Sequence, residues 1–149
     1  MPNTLTLQCV FRCPPSRLYR AFLDPAALAK WNAPNGFTAT VHSLDARVGG
    51  RFRISFTNFS TGHSHAFGGE YLALEPDTLI RSTDVFEDAN LPGTMVLTVR
   101  LVPVSIGTRL EITQEGLPDV VPLEACMLGW QESLALLAHL VEPEIPDGP

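Results

Sequence analysis

The stretch VPLEACMLGWQESLALLAHLV, residues 121–141, has the periodicity of a long amphipathic helix and contains no proline after Pro122. Its apolar residues recur at spacings of four and three, which places them on one helix face: Leu123, Met127, Trp130, Leu134, Leu137 and Val141. Leu128, Leu136 and Leu140 widen this stripe. A helix of this length would extend about 30 Å, and we expect protein to cover it on much of its circumference.

Short strands are predicted through most of the chain before this helix. In residues 51–58, Phe52, Ile54 and Phe56 alternate with polar residues, as is typical of an antiparallel strand with one covered face. Gly68-Gly69 interrupts another strand and indicates a bulge or bend, which a sheet needs in order to curl around a helix. The predicted strands cover residues 4–12, 37–44, 51–58, 63–75, 79–87, 94–102 and 108–115.

Two short helices are predicted between the first and second strands. Pro15 suits the first turn of one, and Asp24-Pro25 ends it and begins the next, which carries Leu28 and Trp31. Because the later strands follow one another through short turns, we expect antiparallel pairing. The chain therefore predicts an α+β domain over residues 1–142, in which a curved seven-stranded sheet wraps the long C-terminal helix. Residues 143–149 are expected to form a proline-rich flexible tail.

Composition excludes several classes of protein. The 149 residues are 45% hydrophobic and 17% charged, with a net charge of −6, as in a globular domain. With a single lysine, Lys30, neither nucleic acid nor a membrane surface is an expected partner. The N-terminus lacks the features of a signal peptide. Three cysteines without framework spacing predict reduced thiols and a cytoplasmic protein.

Five blocks, in order along nearly the whole chain, resemble the activator of heat-shock protein 90 ATPase-like family of the START-like (SRPBCC, Bet v 1-like) superfamily. They are Pro15–Trp31 with its Asp-Pro break, Val48–Phe52, Gly69–Pro76, Gly107–Gly116 and Gly129–Leu137. The resemblance implies a helix-grip fold with a cavity between the sheet and the last helix. It does not imply one activity, since the superfamily includes small-molecule carriers, resistance proteins, aromatase/cyclase domains and a co-chaperone. We expect no counterpart of the co-chaperone's separate N-terminal domain, and basic residues are few, so chaperone contact is not expected.

The large aromatic and soft side chains are candidates for the cavity wall, with Trp31 expected near the mouth. The alternative is that they only fill the core. The predicted ligand-binding residues are Trp31, Phe52, Phe56, His65, Phe67, Tyr71, Met127, Trp130 and Leu134.

Four polar residues have more than one interpretation each. His63 and His65 are spaced as two ligands of a metal site without an evident third, or they lie near a turn in solvent, or His65 is a polar group of the pocket. Glu70 would be a general acid or base if buried, or would pair with Arg53 or Arg81 on the outer sheet face. Asp84 is an unusual residue in a strand and has the same two interpretations.

The favoured hypothesis is an intracellular protein that binds an apolar or aromatic small molecule, without catalytic residues, metal or cofactor. A cyclase- or hydrolase-like enzyme acting on a polyketide-like compound is the second. It requires polar groups that converge inside the cavity, and the candidates are His65, Glu70, Tyr71 and Asp84. The third is a module that contacts a chaperone or forms a homodimer, which requires an exposed apolar patch.

Overall fold

A computed structural model describes residues 3–148. Within them the chain forms seven strands and three helices. In chain order these are β1 (Asn3–Phe11), α1 (Pro15–Leu23), α2 (Pro25–Trp31), β2 (Phe37–Leu44), β3 (Arg51–Asn58), β4 (Ser64–Glu75), β5 (Leu79–Phe86), β6 (Met95–Val104), β7 (Gly107–Leu117) and α3 (Leu123–Val141).

The strands form one sheet in the order β1-β7-β6-β5-β4-β3-β2. Every neighbouring pair is antiparallel. Apolar residues at every second position, such as Val99 and Leu101 of β6 and Leu110 and Ile112 of β7, are buried on the concave face. The predicted α+β helix-grip fold, with a curved sheet around a long C-terminal helix and two short helices after β1, is therefore confirmed.

The middle of β4 approaches both neighbouring strands closely. A Cβ atom on Gly68 would lie 2.3 Å from the carbonyl oxygen of Phe52, and one on Gly69 would lie 1.9 Å from that of Thr83. These distances leave room only for glycine. The shift of the β4–β5 register itself falls further on, between Tyr71 and Ala73. The glycines thus allow the close approach, and the irregularity follows them.

The short helices close one end of the sheet. Asp24 caps α2, since its Oδ1 accepts hydrogen bonds from the backbone N–H groups of Ala26 at 2.9 Å and Ala27 at 3.3 Å. Trp31 donates from Nε1 to the carbonyl oxygen of Ala21 at 2.9 Å, and its ring meets that of Phe22 edge-on. These contacts join the two helices.

The two halves of α3 have different surroundings. In the second half, Leu134, Leu137 and Val141 are buried in the core. In the first half, Leu123 and Leu128 are 38% and 56% exposed, so the expected cover over much of the helix is wrong there. Helix α3 packs on β1, α1 and α2, and neither of these two leucines lies among the core or cavity-lining residues. None of the described helices is long and apolar enough to cross a membrane.

The end of α3 is tied to the start of α1. Arg17 donates from Nη1 to the carbonyl oxygen of Val141 at 2.9 Å, and its Nη2 lies 3.2 Å from Oε1 of Glu144. Glu142 accepts a hydrogen bond from the backbone N–H of Arg12 at 2.9 Å. The second half of α3 is therefore held at both its face and its end.

Candidate functional site

A cavity of about 250 Å³ lies between the concave face of the sheet and the first half of α3. Strands β3 to β7 supply its floor, through side chains such as Ile54, Ile80 and Val99. Helix α3 supplies the opposite wall through Cys126, Gly129, Trp130 and Ser133. The lining is dominated by apolar and aromatic groups, as in sites that take small organic molecules.

Seven of the nine predicted binding residues line this cavity. They are Trp31, Phe52, Phe56, His65, Phe67, Tyr71 and Trp130. The other two lie elsewhere: Met127 packs against a separate small cluster of Leu5, Met95 and Leu117, and Leu134 belongs to the closely packed core. Both lie on the same helix face as Trp130, at spacings of three and four residues, so their position along the helix, and not their face, places them beyond the cavity.

Trp31 and His65 occupy positions that differ from expectation. Trp31 is only 1% exposed and lies deep in the wall, so its expected place near the mouth is wrong. His65 is exposed and also lines the cavity, which marks its end of β4 as the mouth. The His65 ring lies edge-on to Phe56 and Phe37, at centroid distances of 6.0 Å and 6.3 Å. The His65 ring therefore packs against two aromatic rings at the mouth of the cavity.

Two polar contacts connect α3 with the rest of the wall. Trp130 on α3 donates from Nε1 to Oε1 of Gln114 on β7 at 3.0 Å. Ser133 donates from Oγ to the carbonyl oxygen of Asn32 at 2.9 Å. Both hydrogen bonds satisfy groups that would otherwise be buried without partners. The first joins α3 to the sheet, and the second joins α3 to the end of α2.

The phenol of Tyr71 and the thiol of Cys126 are neutral wall groups. Burial, and to a smaller extent the nearby Tyr19, raises the pKa of Tyr71 to about 12. Burial also raises the pKa of Cys126. A thiol with a raised pKa is a poor nucleophile, as expected for an inert cysteine.

Asp84 is the acidic residue of the cavity wall. The ladder pairs Gly68–Val85 and Tyr71–Ser82 place Gly69 opposite Asp84 on β4, and its partner on β6 is Met95. Neither neighbour carries a side-chain donor, and Oδ1 of Asp84 is buried without a hydrogen-bond partner among residues 3–148. Burial raises the pKa of Asp84 to about 7, and a backbone hydrogen bond from Val85 lowers it. Asp84 therefore lies on the cavity side of the sheet and not in an ion pair on its outer face.

Glu70 lies on the other face of the sheet. Its carboxylate is 3.5 Å from Nη1 of Arg51, whereas Arg53 pairs with Glu87. The outer-face interpretation of Glu70 is therefore correct, although the expected partners Arg53 and Arg81 are wrong. Arg51 is the cross-strand neighbour of Glu70 in the β3–β4 register, which sequence periodicity does not specify.

The two histidines considered for a metal site separate. His63 lies in the turn before β4 and is exposed, so the pair does not share a strand. Among residues 3–148, no three His, Cys, Asp or Glu side chains come together as a metal would require.

Gly129 is a cavity residue that sequence reasoning overlooked. It lies in the interior of α3, and a Cβ added to it would meet nothing within 4 Å. A lone glycine inside a strongly helical run was the available signal, because glycine weakens a helix and packing or function usually explains its presence.

Comparison with known proteins gives the family of the chain. The family model described as "Activator of Hsp90 ATPase homolog 1-like protein" matches residues 12–142. A crystal structure of a protein from Chromobacterium violaceum is 56% identical, with a TM-score of 0.95, and the match covers 97% of this chain and 100% of that one. No curated protein matches significantly.

More distant solved structures share the fold alone. A protein from Rhodobacter sphaeroides is 23% identical with a TM-score of 0.83, over 92% of this chain and 90% of that one. A protein from Nitrosomonas europaea is 21% identical with a TM-score of 0.79, over 93% of both chains. Because the family model spans most of the sequence, the chain belongs to the activator of Hsp90 ATPase homolog 1-like family.

Proposed function

We propose that this protein binds a small, ring-containing apolar molecule in the cavity between the sheet and α3. The observation that carries the proposal is the cavity itself, about 250 Å³ in volume and walled by aromatic and aliphatic side chains. Its aromatic wall includes Trp31, Phe56, Phe67 and Trp130. Such walls contribute large contact areas to a ring that enters between them.

The volume is too large for an ordinary packing defect. Protein interiors contain few voids larger than a water molecule. An apolar molecule that fills the space would remove its wall from water, which contributes about 25 cal/mol per Å² of apolar surface buried.

Gly129 supports the same proposal. In a helix interior, glycine costs about 0.5–1 kcal/mol relative to alanine. No neighbour requires a glycine there, because a Cβ would meet open space. Glycine at this position lowers helix stability and leaves the cavity wider, as a binding site needs.

Filling the cavity from α3 tests the proposal. The probe is phenethyl alcohol, a neutral ring, and its binding is followed by tryptophan emission, since both tryptophans of the chain line the cavity. The Gly129→Leu variant places a side chain where the probe would lie. We expect at least about tenfold weaker binding, with a melting temperature no lower than that of the parent protein.

Gly129→Ala is the matched control, because it adds a single methyl group and the same gain in helix propensity. We expect it to bind the probe within about threefold of the parent protein, a difference of less than 1 kcal/mol. Unchanged binding in Gly129→Leu would place the probe outside the cavity and contradict the proposal, as would the absence of binding to the parent protein up to the solubility limit.

A further inference from the structure

One oxygen of the Asp84 carboxylate has no donor in the cavity wall, although the backbone N–H of Val85 donates a hydrogen bond to the carboxylate. The cross-strand neighbours of Asp84 are Met95 on β6 and Gly69 on β4. Methionine has no hydrogen-bond donor in its side chain, and glycine has no side chain.

Oδ1 of Asp84 is buried and unpaired within residues 3–148. Buried carboxylate oxygens nearly always have a donor, and leaving one without a donor is costly. By contrast, the carboxylate of Glu70 on the outer face lies beside Arg51.

The donor is therefore expected from a molecule bound inside the cavity. The charged groups of the wall indicate the sign of the charge on that molecule. Neither lysine nor arginine is among the described lining residues. The other titratable lining groups are His65 at the mouth and the phenol and thiol of Tyr71 and Cys126, whose pKa values are raised by burial. A carboxylate ligand would find no basic partner there and would be repelled by Asp84.

The aromatic walls favour the same sign of charge. The faces of Trp, Tyr and Phe rings attract cations, and the attraction increases when water is excluded. Trp130, Phe67 and Phe86 line the cavity together with Asp84. The net charge of −6 also increases the concentration of cations near the protein.

We infer that the ligand is a compact aromatic amine whose protonated nitrogen donates to the Asp84 carboxylate while its ring packs between the aromatic walls. This inference rests on the proposed function, since it specifies the ligand class of the same cavity. A cavity of about 150 Å³ accommodates benzene. By that ratio, the 250 Å³ found here holds about ten non-hydrogen atoms. One ring with a short aminoalkyl side chain has that size.

Three probes of one shape test the inference: phenethylamine, phenethyl alcohol and phenylacetate. They are titrated calorimetrically at about pH 8, where Asp84 is ionised and the amine is still protonated. We expect the amine to bind at least about tenfold more tightly than the alcohol, because a hydrogen bond between charged partners is stronger than one to a neutral donor. Phenylacetate should bind more weakly than either.

The Asp84→Asn variant keeps the shape of the side chain and removes its charge. We expect the preference for amine over alcohol to fall below about twofold, because the amide offers no charge to the ammonium group. The control is Glu70→Gln, which removes a carboxylate from the outer face and should leave the amine preference unchanged.

The outcomes separate the two proposals. If the alcohol binds as tightly as the amine, or if the preference survives in Asp84→Asn, the amine inference is wrong and small-molecule binding in the cavity stands. If none of the three probes binds to the parent protein, both proposals are wrong.

Discussion

Asp84 and Glu70 show how neighbouring strands give one residue type two opposite roles. Glu70 lies on the solvent-facing side of β4 beside Arg51. Asp84 lies on the concave side of β5, where burial raises its pKa to about 7. The folded protein therefore holds the Asp84 proton more tightly than the unfolded chain, in which an aspartate has its ordinary pKa of 3.8.

This difference predicts a specific dependence of stability on pH. Between about pH 4 and pH 7 the folded state binds more protons than the unfolded state, so the free energy of unfolding falls as pH rises. The full loss is on the order of 4 kcal/mol. Asp84→Asn removes it, so we expect the stability of the variant relative to the parent protein to be about 2–3 kcal/mol more favourable at about pH 8 than at about pH 5.

Urea unfolding of the ligand-free protein at the two pH values measures the effect. Glu70→Gln is the control, and its stability relative to the parent protein should change little between them. A stability difference for Asp84→Asn that is equal at both pH values would contradict the assignment of the raised pKa to this residue.

The hydrogen bond between Trp130 and Gln114 gives a second prediction at this scale. Trp130→Phe removes the Nε1 donor and leaves Oε1 of the buried Gln114 without it. We expect a loss of about 1–3 kcal/mol in the free energy of unfolding. Replacing Gln114 with Met in the same variant removes the unpaired oxygen, so part of the loss should be recovered. Strictly additive effects in this double-mutant cycle would show that the two side chains do not interact.

Among the elements, β4 and α3 use glycine for opposite reasons. In β4, Gly69 is required because the carbonyl of Thr83 lies where a Cβ would be. In α3, Gly129 faces open space and lines the cavity. Gly69 allows two strands to approach each other closely. Gly129 leaves the space between the helix and the sheet free of a side chain.

The same substitution at the two sites should therefore have opposite signs. Gly69→Ala forces β4 and β5 apart, and we expect a loss of more than about 2 kcal/mol. Gly129→Ala should increase stability by about 0.5–1 kcal/mol through helix propensity. Thermal and urea unfolding measure both variants. Tolerance of alanine at position 69 would mean that the strands can separate without cost.

On the scale of the whole molecule, the domain divides into a closely packed part and a part that surrounds the cavity. The packed part combines β1 and the adjoining parts of β7 and β6 with the second half of α3, where Leu101, Leu110 and Leu137 are almost fully buried. The cavity part combines β3, β4, β5 and the cavity-lining residues of β6 and β7 with the first half of α3. Regions with fewer buried apolar contacts open more readily.

Amide hydrogen exchange should reveal this division. We expect the slowest exchange in β6, β7 and residues 133–141, and faster exchange in residues 123–130 and in the edge strand β2. Saturation with phenethyl alcohol should slow exchange in residues 123–130, because an opening that exposes them also releases the ligand. Equal protection along the whole of α3 without ligand would contradict the division.

Much of the fold could be predicted from the sequence, because the information is local. Alternation of Phe52, Ile54 and Phe56 and the three-and-four spacing along α3 indicate burial on one face, whatever the partner. The predicted strand and helix ends agree with those of the structure within about two residues, because Asp24-Pro25 and the proline and glycine turns define them. The exposure of Leu123 and Leu128 was not predictable, since periodicity marks a face without showing where its cover ends.

The candidate site depends both on local sequence patterns and on the tertiary structure. Seven of the nine expected residues line the cavity, because aromatic side chains on the inner faces of β3 and β4 have few other places to lie. The isolation of Asp84 could not be predicted, since it depends on the register that sets Met95 and Gly69 beside it. The sequence alone determined which face of each element is buried, because that follows from local periodicity. Only the tertiary structure decided which buried groups meet and which remain unpaired, because cross-strand register joins residues that are distant along the chain.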